Sequence, residues 1–90
     1  MLIGITTKYG LQDSSFLIKK CVQYLRKKGV ETELCPGACA LVPSRKPSLD
    51  FSKRYDLLMV FGGDGTLLRT LQYVKHFETP IIPINMGRLG

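Results

Sequence analysis

Leu57-Leu58-Met59-Val60-Phe61-Gly62-Gly63-Asp64-Gly65-Thr66-Leu67-Leu68-Arg69 places an apolar strand, a glycine turn and a helix start in immediate succession. Five apolar residues without alternation describe a strand covered on both faces, the condition of a parallel sheet. Gly62, Gly63 and Gly65 remove Cβ atoms where the backbone must turn sharply, so bare N–H groups can approach an anion. A helix opening at about Thr66 adds unpaired N–H groups and a positive dipole end, which together make a phosphate site. Into that positive site the sequence puts one carboxylate, Asp64. A negative side chain there is costly unless it caps the helix, touches a metal ion or takes part in chemistry.

Working outward, the elements alternate. Residues 2–7 form a short apolar strand, and 8–12 a loop. Asp13 or Ser14 can cap a helix that runs to about Lys28, with Leu17, Ile18, Cys21, Val22 and Leu25 on one face. Gly29 ends it in the left-handed C-terminal position. Residues 30–34 alternate and read as a strand near the sheet edge. In residues 35–54, Pro36, Gly37, Pro43 and Pro47 break any long element and leave a loop with one helical turn near 38–41. The buried strand follows at 56–61, then a helix over 66–77 with Leu67, Leu71 and Val74 at core spacing. The last strand covers 81–84, where Pro83, lacking a donor, suggests an edge, a bulge or a strand end. The order implies an α/β fold, a small three-layer Rossmann-like parallel sheet with helices on both faces, formed by residues 1–90 as one domain. Ligands in such sheets bind beyond the carboxyl ends of the strands.

Composition narrows the class. Ninety residues at 44% hydrophobic and 22% charged make a small globular domain. No apolar run approaches the ~20 residues of a membrane span, and the N-terminus lacks a basic leader, so a cytoplasmic protein is expected. Cys21, Cys35 and Cys39 are an odd set without CxxC spacing, and His76 is the only histidine. Buried or free thiols are expected rather than a zinc site or a disulfide framework. The net charge of +6 would suit nucleic acid, a membrane surface or an anionic nucleotide. Lys19, Lys20, Arg26, Lys27 and Lys28, however, sit on one helix without a nucleic-acid motif and read as a solvated face.

Gly62-Gly63-Asp64-Gly65-Thr66 resembles the signature shared by NAD kinases, diacylglycerol and sphingosine kinases and, more distantly, phosphofructokinases. A second block, Pro80-Ile81-Ile82-Pro83-Ile84-Asn85-Met86-Gly87-Arg88-Leu89-Gly90, is similar to the strand and N-x-G-x-L-G segment of NAD kinases. The Gly-Thr-Gly-Asn-Asp pattern of lipid kinases is absent. The resemblance covers the chain in layout and residues 56–90 in specific motif.

The resemblance implies the N-terminal domain of an enzyme that makes NADP from NAD, with ATP or polyphosphate as donor and Mg²⁺ or another divalent cation. It implies that Asp64 accepts the proton of the adenosine ribose 2′-hydroxyl as that oxygen attacks the γ-phosphate. A carboxylate at a helix N-terminus is a weak base towards an alcohol, so orientation of the hydroxyl, with late proton transfer in a loose transition state, is its expected contribution. Gly62, Gly63, Gly65 and Thr66 would surround phosphate, although a tight turn and a helix cap would explain them structurally. Arg69 is either a surface arginine or a nucleotide contact. Asn85 reads as a turn-stabilising side chain in the second loop, and Gly87 as a point of close approach; Arg88 gets no role. No residue is assigned as a metal ligand.

Members of the family place a β-rich domain with an Asn-Glu or Asn-Asp pair beyond this point and are commonly homo-oligomers. A 90-residue piece is therefore expected to be inactive alone. The competing readings are a lipid-kinase-like domain and a non-catalytic nucleotide-binding fragment.

Overall fold

A computed structural model describes residues 1–7, 15–42 and 46–85. Its elements are β1 (Leu2–Thr7), α1 (Ser15–Lys27), β2 (Glu31–Leu34), α2 (Pro36–Leu41), β3 (Leu57–Gly62), α3 (Asp64–Tyr73) and β4 (Ile81–Asn85). The strands form one sheet in the order β2-β1-β3-β4, and every neighbouring pair is parallel. The apolar, non-alternating β1 and β3 occupy the centre because only there are both faces of a strand covered. β2 and β4 take the edges, as the alternation of β2 and Pro83 of β4 imply. Among the described residues no helix is long and apolar enough to cross a membrane.

Two cores lie on opposite faces. On one, Ile3 and Ile5 of β1 and Phe61 of β3 pack with Ile18 and Val22 of α1 and Ala38 of α2. On the other, Leu58 of β3 meets Tyr55 and Val74, with Leu49 and Phe51 against them. The central layer is thus enclosed by α1 and α2 on one side and by α3 with the 49–55 segment on the other.

Four local expectations are corrected. Leu17 is 42% exposed, and the inward stripe of α1 is carried by Ile18 and Val22, with Cys21 and Leu25 beside them. Pro36 starts α2 rather than breaking it: proline at the first helical position loses no hydrogen bond, and the Cys35 thiol caps the turn by accepting from Ala38 N at 3.4 Å. α3 begins at Asp64, two residues before Thr66, and ends at Tyr73 rather than 77. Its end has a cause: Val74 turns extended (φ −65°, ψ 130°) to bury its side chain, and Lys75 N donates to Phe51 O at 3.2 Å. Its inward residue is therefore Thr70, at 3% exposure, while Leu71 is 44% exposed. Gly29 does end α1's turn with φ +74°. The expected caps Asp13 and Ser14 lie outside the described residues.

The long connection between α2 and β3 is clamped to the edge of the sheet. Ser48 N and Leu49 N donate to Leu34 O at 2.9 and 3.1 Å. Tyr55 OH donates to Glu33 Oε1 at 2.6 Å and accepts from Asp50 N at 2.9 Å, while Lys53 Nζ pairs with Glu33 Oε2 at 2.6 Å. Burial, followed by the hydrogen bond to the Glu33 carboxylate, pushes the Tyr55 phenol up to about 12. Partial burial works to raise the Glu33 carboxyl, but the hydrogen bonds from Lys53 and Tyr55 outweigh it and hold the group below its ordinary value.

Tyr55→Phe is expected to destabilise the fold by roughly 1.5–3 kcal/mol near neutral pH, the scale of one hydrogen bond to a charged group. A raised phenol contributes stability that is complete below its unfolded value near 10 and disappears as pH rises towards 12. Denaturation curves of the two proteins should therefore converge over that alkaline interval. The Glu33 contribution has the opposite sense, being present above the ordinary carboxylate range and lost as the solution is acidified through it.

Candidate functional site

Parallel pairing sets the carboxyl ends of β1 and β3 side by side, with Thr7 opposite Phe61. β3 closes on Gly62, whose φ of +155° disfavours any residue with a side chain. A Cβ at Gly62 would lie 2.6 Å from Thr66 Oγ1 and 2.8 Å from Thr66 Cβ. Gly62 is therefore the glycine the fold requires, because the threonine of α3's first turn packs directly on the strand end.

Gly63 and Gly65 differ. Gly63 is extended (φ −97°, ψ −167°) and occupies the N-cap position, and no side chain caps the helix. Among the described residues, a Cβ at Gly63 or Gly65 would meet nothing within 4 Å. Both glycines border open space beside a helix start whose leading N–H groups are left for a ligand or water. Of the three glycines of the turn, the positive φ thus falls on Gly62 alone.

Between these two glycines stands Asp64, the first residue of α3, with its side chain exposed. A cavity of about 380 Å³ opens on the α3 side of the sheet, bordered at its start by Gly63, Gly65 and Thr66. Arg69 lines its wall and contributes a cation. The strand end contributes Thr6 and Thr7, and the far end is closed by Thr70, Tyr73 and Phe51. Asp64 does not line this cavity. The Thr70 hydroxyl donates to Thr66 O at 2.8 Å, whereas Thr7 Oγ1 is buried without a hydrogen-bond partner. Thr7 is further held by Cys35, whose thiol accepts from Thr7 N at 3.3 Å.

Of the residues singled out from sequence, Gly63, Gly65, Thr66 and Arg69 are gathered at one cavity, with Gly62 and Asp64 adjacent in the chain. Asn85, the last residue of β4, pairs in register with Gly62, so the second block leaves the sheet beside the first. Gly87 lies outside the described residues. Sequence reading passed over Thr6, Thr7, Phe51, Thr70 and Tyr73. The strand-end rule was a usable signal for Thr6 and Thr7. Phe51 and Tyr73, 22 positions apart, carried no signal of their own. Among the described residues no group of three or more His, Cys, Asp or Glu gathers, and Cys21, Cys35 and Cys39 form no disulfide.

Residues 48–90 match the family model described as the ATP-NAD kinase N-terminal domain. Similarity to curated relatives extends over the whole chain. The NAD kinase of Christiangramia forsetii is 42% identical, with 100% of this chain and 34% of the relative covered. That of Hydrogenovibrio crunogenus is 34% identical over 98% of this chain and 32% of the relative. That of Methanosphaera stadtmanae is 32% identical over 100% of this chain and 34% of the relative. The chain spans about a third of the length of the relatives it matches. The glycine turn, its acid and the parallel sheet that carries them stand within a chain that is similar over its whole length to NAD kinases, and over residues 48–90 to their N-terminal domain.

Proposed function

We propose that this chain is the phosphate-binding part of a kinase that transfers the γ-phosphoryl group of ATP, or a phosphoryl group of polyphosphate, to the adenosine ribose 2′-hydroxyl of NAD, giving NADP. One observation carries the reading: Gly63 and Gly65 flank Asp64 at an uncapped helix N-terminus, yet neither needs to be glycine for the fold. A missing side chain that packing does not demand is explained by a ligand that must come close to the backbone. The names of the matched relatives, NAD kinase, support NAD as the acceptor, and the family description, ATP-NAD kinase N-terminal domain, supports ATP as the donor.

In this reading the N–H groups at the start of α3 and its dipole hold donor phosphates. Thr66 and the Arg69 guanidinium add a hydroxyl and a charge on the same side. Asp64 accepts a hydrogen bond from the 2′-hydroxyl and orients its lone pair towards phosphorus. As the new O–P bond forms and the bond to the leaving phosphate breaks, the proton passes to the Asp64 carboxylate. Asn85 and Gly87 bring the second loop against the acceptor nucleotide. A divalent cation such as Mg²⁺ would be held chiefly by the donor's phosphates, since it keeps several waters and needs few protein ligands. When bound, it would neutralise charge on the phosphate oxygens. The reading also carries the expectation of a cytoplasmic homo-oligomer without nucleic-acid or membrane partners.

Asp64→Asn in the full-length protein is expected to lower turnover at least ~100-fold while NAD affinity changes less, since the amide keeps the shape and loses the proton acceptor. Unchanged turnover would remove Asp64 from the chemistry. The glycines should separate by role: Gly62→Ala costs roughly 1–3 kcal/mol of stability from strain and the Thr66 clash. Gly63→Ala should leave thermal stability nearly unchanged and weaken nucleotide binding by titration calorimetry. Residues 1–90 alone should bind adenine nucleotides no tighter than roughly 10⁻⁴ M and form no NADP, because one loop and one acid cannot align two anionic substrates. Robust NADP formation in a coupled NADP-specific assay would overturn that requirement.

A further inference from the structure

The cavity beside α3 extends well past the phosphate cradle. It runs from Gly63 to Tyr73, along a ten-residue helix whose rise gives about 15 Å, comparable to an extended nucleoside triphosphate. Its lining changes character along the way. Gly63, Gly65 and Thr66 stand at the helix start beside Thr6 and Thr7 of the strand end, Arg69 follows one turn further along α3, and the rings of Phe51 and Tyr73 close the far end. A polar, cationic stretch that ends on aromatic rings suits a chain of phosphates that ends in a nucleoside base. The volume also falls in the usual range for small-molecule sites, roughly 300–1,000 Å³.

The aromatic end is ready-made. The Phe51 and Tyr73 rings stack with centroids 5.9 Å apart and planes at 23°. The main-chain bond from Lys75 N to Phe51 O, and the approach of His76 Nε2 to Ser52 O at 3.1 Å, tie the end of α3 to the Phe51 turn. Phe51 is anchored on the Tyr55–Leu58–Val74 core, whereas Tyr73 remains 55% exposed. A core explanation covers the first ring and not the second.

Resting on the donor reading above, we propose that this groove seats the nucleoside of the phosphoryl donor, with Phe51 and Tyr73 as the platform on which its base stacks. The donor rather than NAD is assigned here because, among the described residues, no acidic side chain lines the cavity, while Asp64, which in the proposed function faces the acceptor hydroxyl, lies outside it. Stacking reads any π-face, so the platform favours nucleoside triphosphates over inorganic polyphosphate without choosing strongly among bases.

The test is titration calorimetry of ATP and of inorganic tripolyphosphate against the full-length protein carrying this segment, its Tyr73→Ala variant and its Phe51→Leu variant, each checked by circular dichroism. The expected result is a ~10-fold or greater rise in the ATP Kd, the scale of a lost base–aromatic stack, with tripolyphosphate affinity held within about twofold. An unchanged ATP Kd in Tyr73→Ala, or an equal loss for both probes, overturns the platform. Tyr73→Ala decides alone if Phe51→Leu fails to fold. Failure of the unmodified protein to bind either probe would overturn the donor cradle itself, a result distinct from loss of the platform.

Discussion

The contact between Gly62 and Thr66 sets the geometry on which the site depends. A parallel strand that feeds a helix without a spacer must reverse within two residues, and here it does so at φ +155°, with Thr66 occupying the space a side chain would need. That contact holds the start of α3 against the end of β3. Once it is made, the helical period turns Thr70 inward, brings Val74 onto the sheet, and sends Arg69 and Tyr73 to one wall of a groove. Gly63 and Gly65 are left facing open space on either side of Asp64.

The remaining elements determine what stands opposite that helix. Pairing of β1 with β3 brings Thr6 and Thr7 to the same end of the sheet, and the Cys35 thiol fixes the Thr7 amide while capping α2. The Glu33–Lys53–Tyr55 cluster has a less direct role. It ties the long connection to the edge strand β2, and so holds Phe51 where it can meet Tyr73. An ion pair 48% exposed at its lysine contributes little by itself. The buried phenol that shares its carboxylate makes the cluster a clamp.

How much of this was legible depended on whether the information was local. The apolar run before Gly62 specifies a central parallel strand, and alternation and Pro83 specify the edges, because strand burial is written into neighbouring residues. Gly63, Gly65, Thr66 and Arg69 were legible for the same reason, lying within one turn-and-helix segment. Helix phase was not. Leu17 and Leu71 satisfy an apolar spacing, but the inward face is set by where each helix leaves its strand, and in α3 a buried Thr70 replaces the expected leucine. Pro36 misled because proline stops a helix in its middle and starts one at its first position. Phe51 and Tyr73 could not be read because their meeting depends on a hydrogen-bonded clamp between segments remote in sequence.

In the proposed function, the two kinds of glycine separate folding from binding within four residues. Gly62 has a structural debt to Thr66, whereas Gly63 and Gly65 have none, so composition alone would assign all three to one cause while geometry divides them. The same division places the carboxylate. A helix N-terminus surrounded by N–H groups, hydroxyls and a guanidinium suits an anion, and a carboxylate inside that cavity would repel it. Asp64 is held outside the cavity yet between two residues that border it. In the proposed function, a carboxylate so placed meets a neutral hydroxyl without opposing phosphates bound along α3, the separation of approach that in-line transfer between two anionic nucleotides would require.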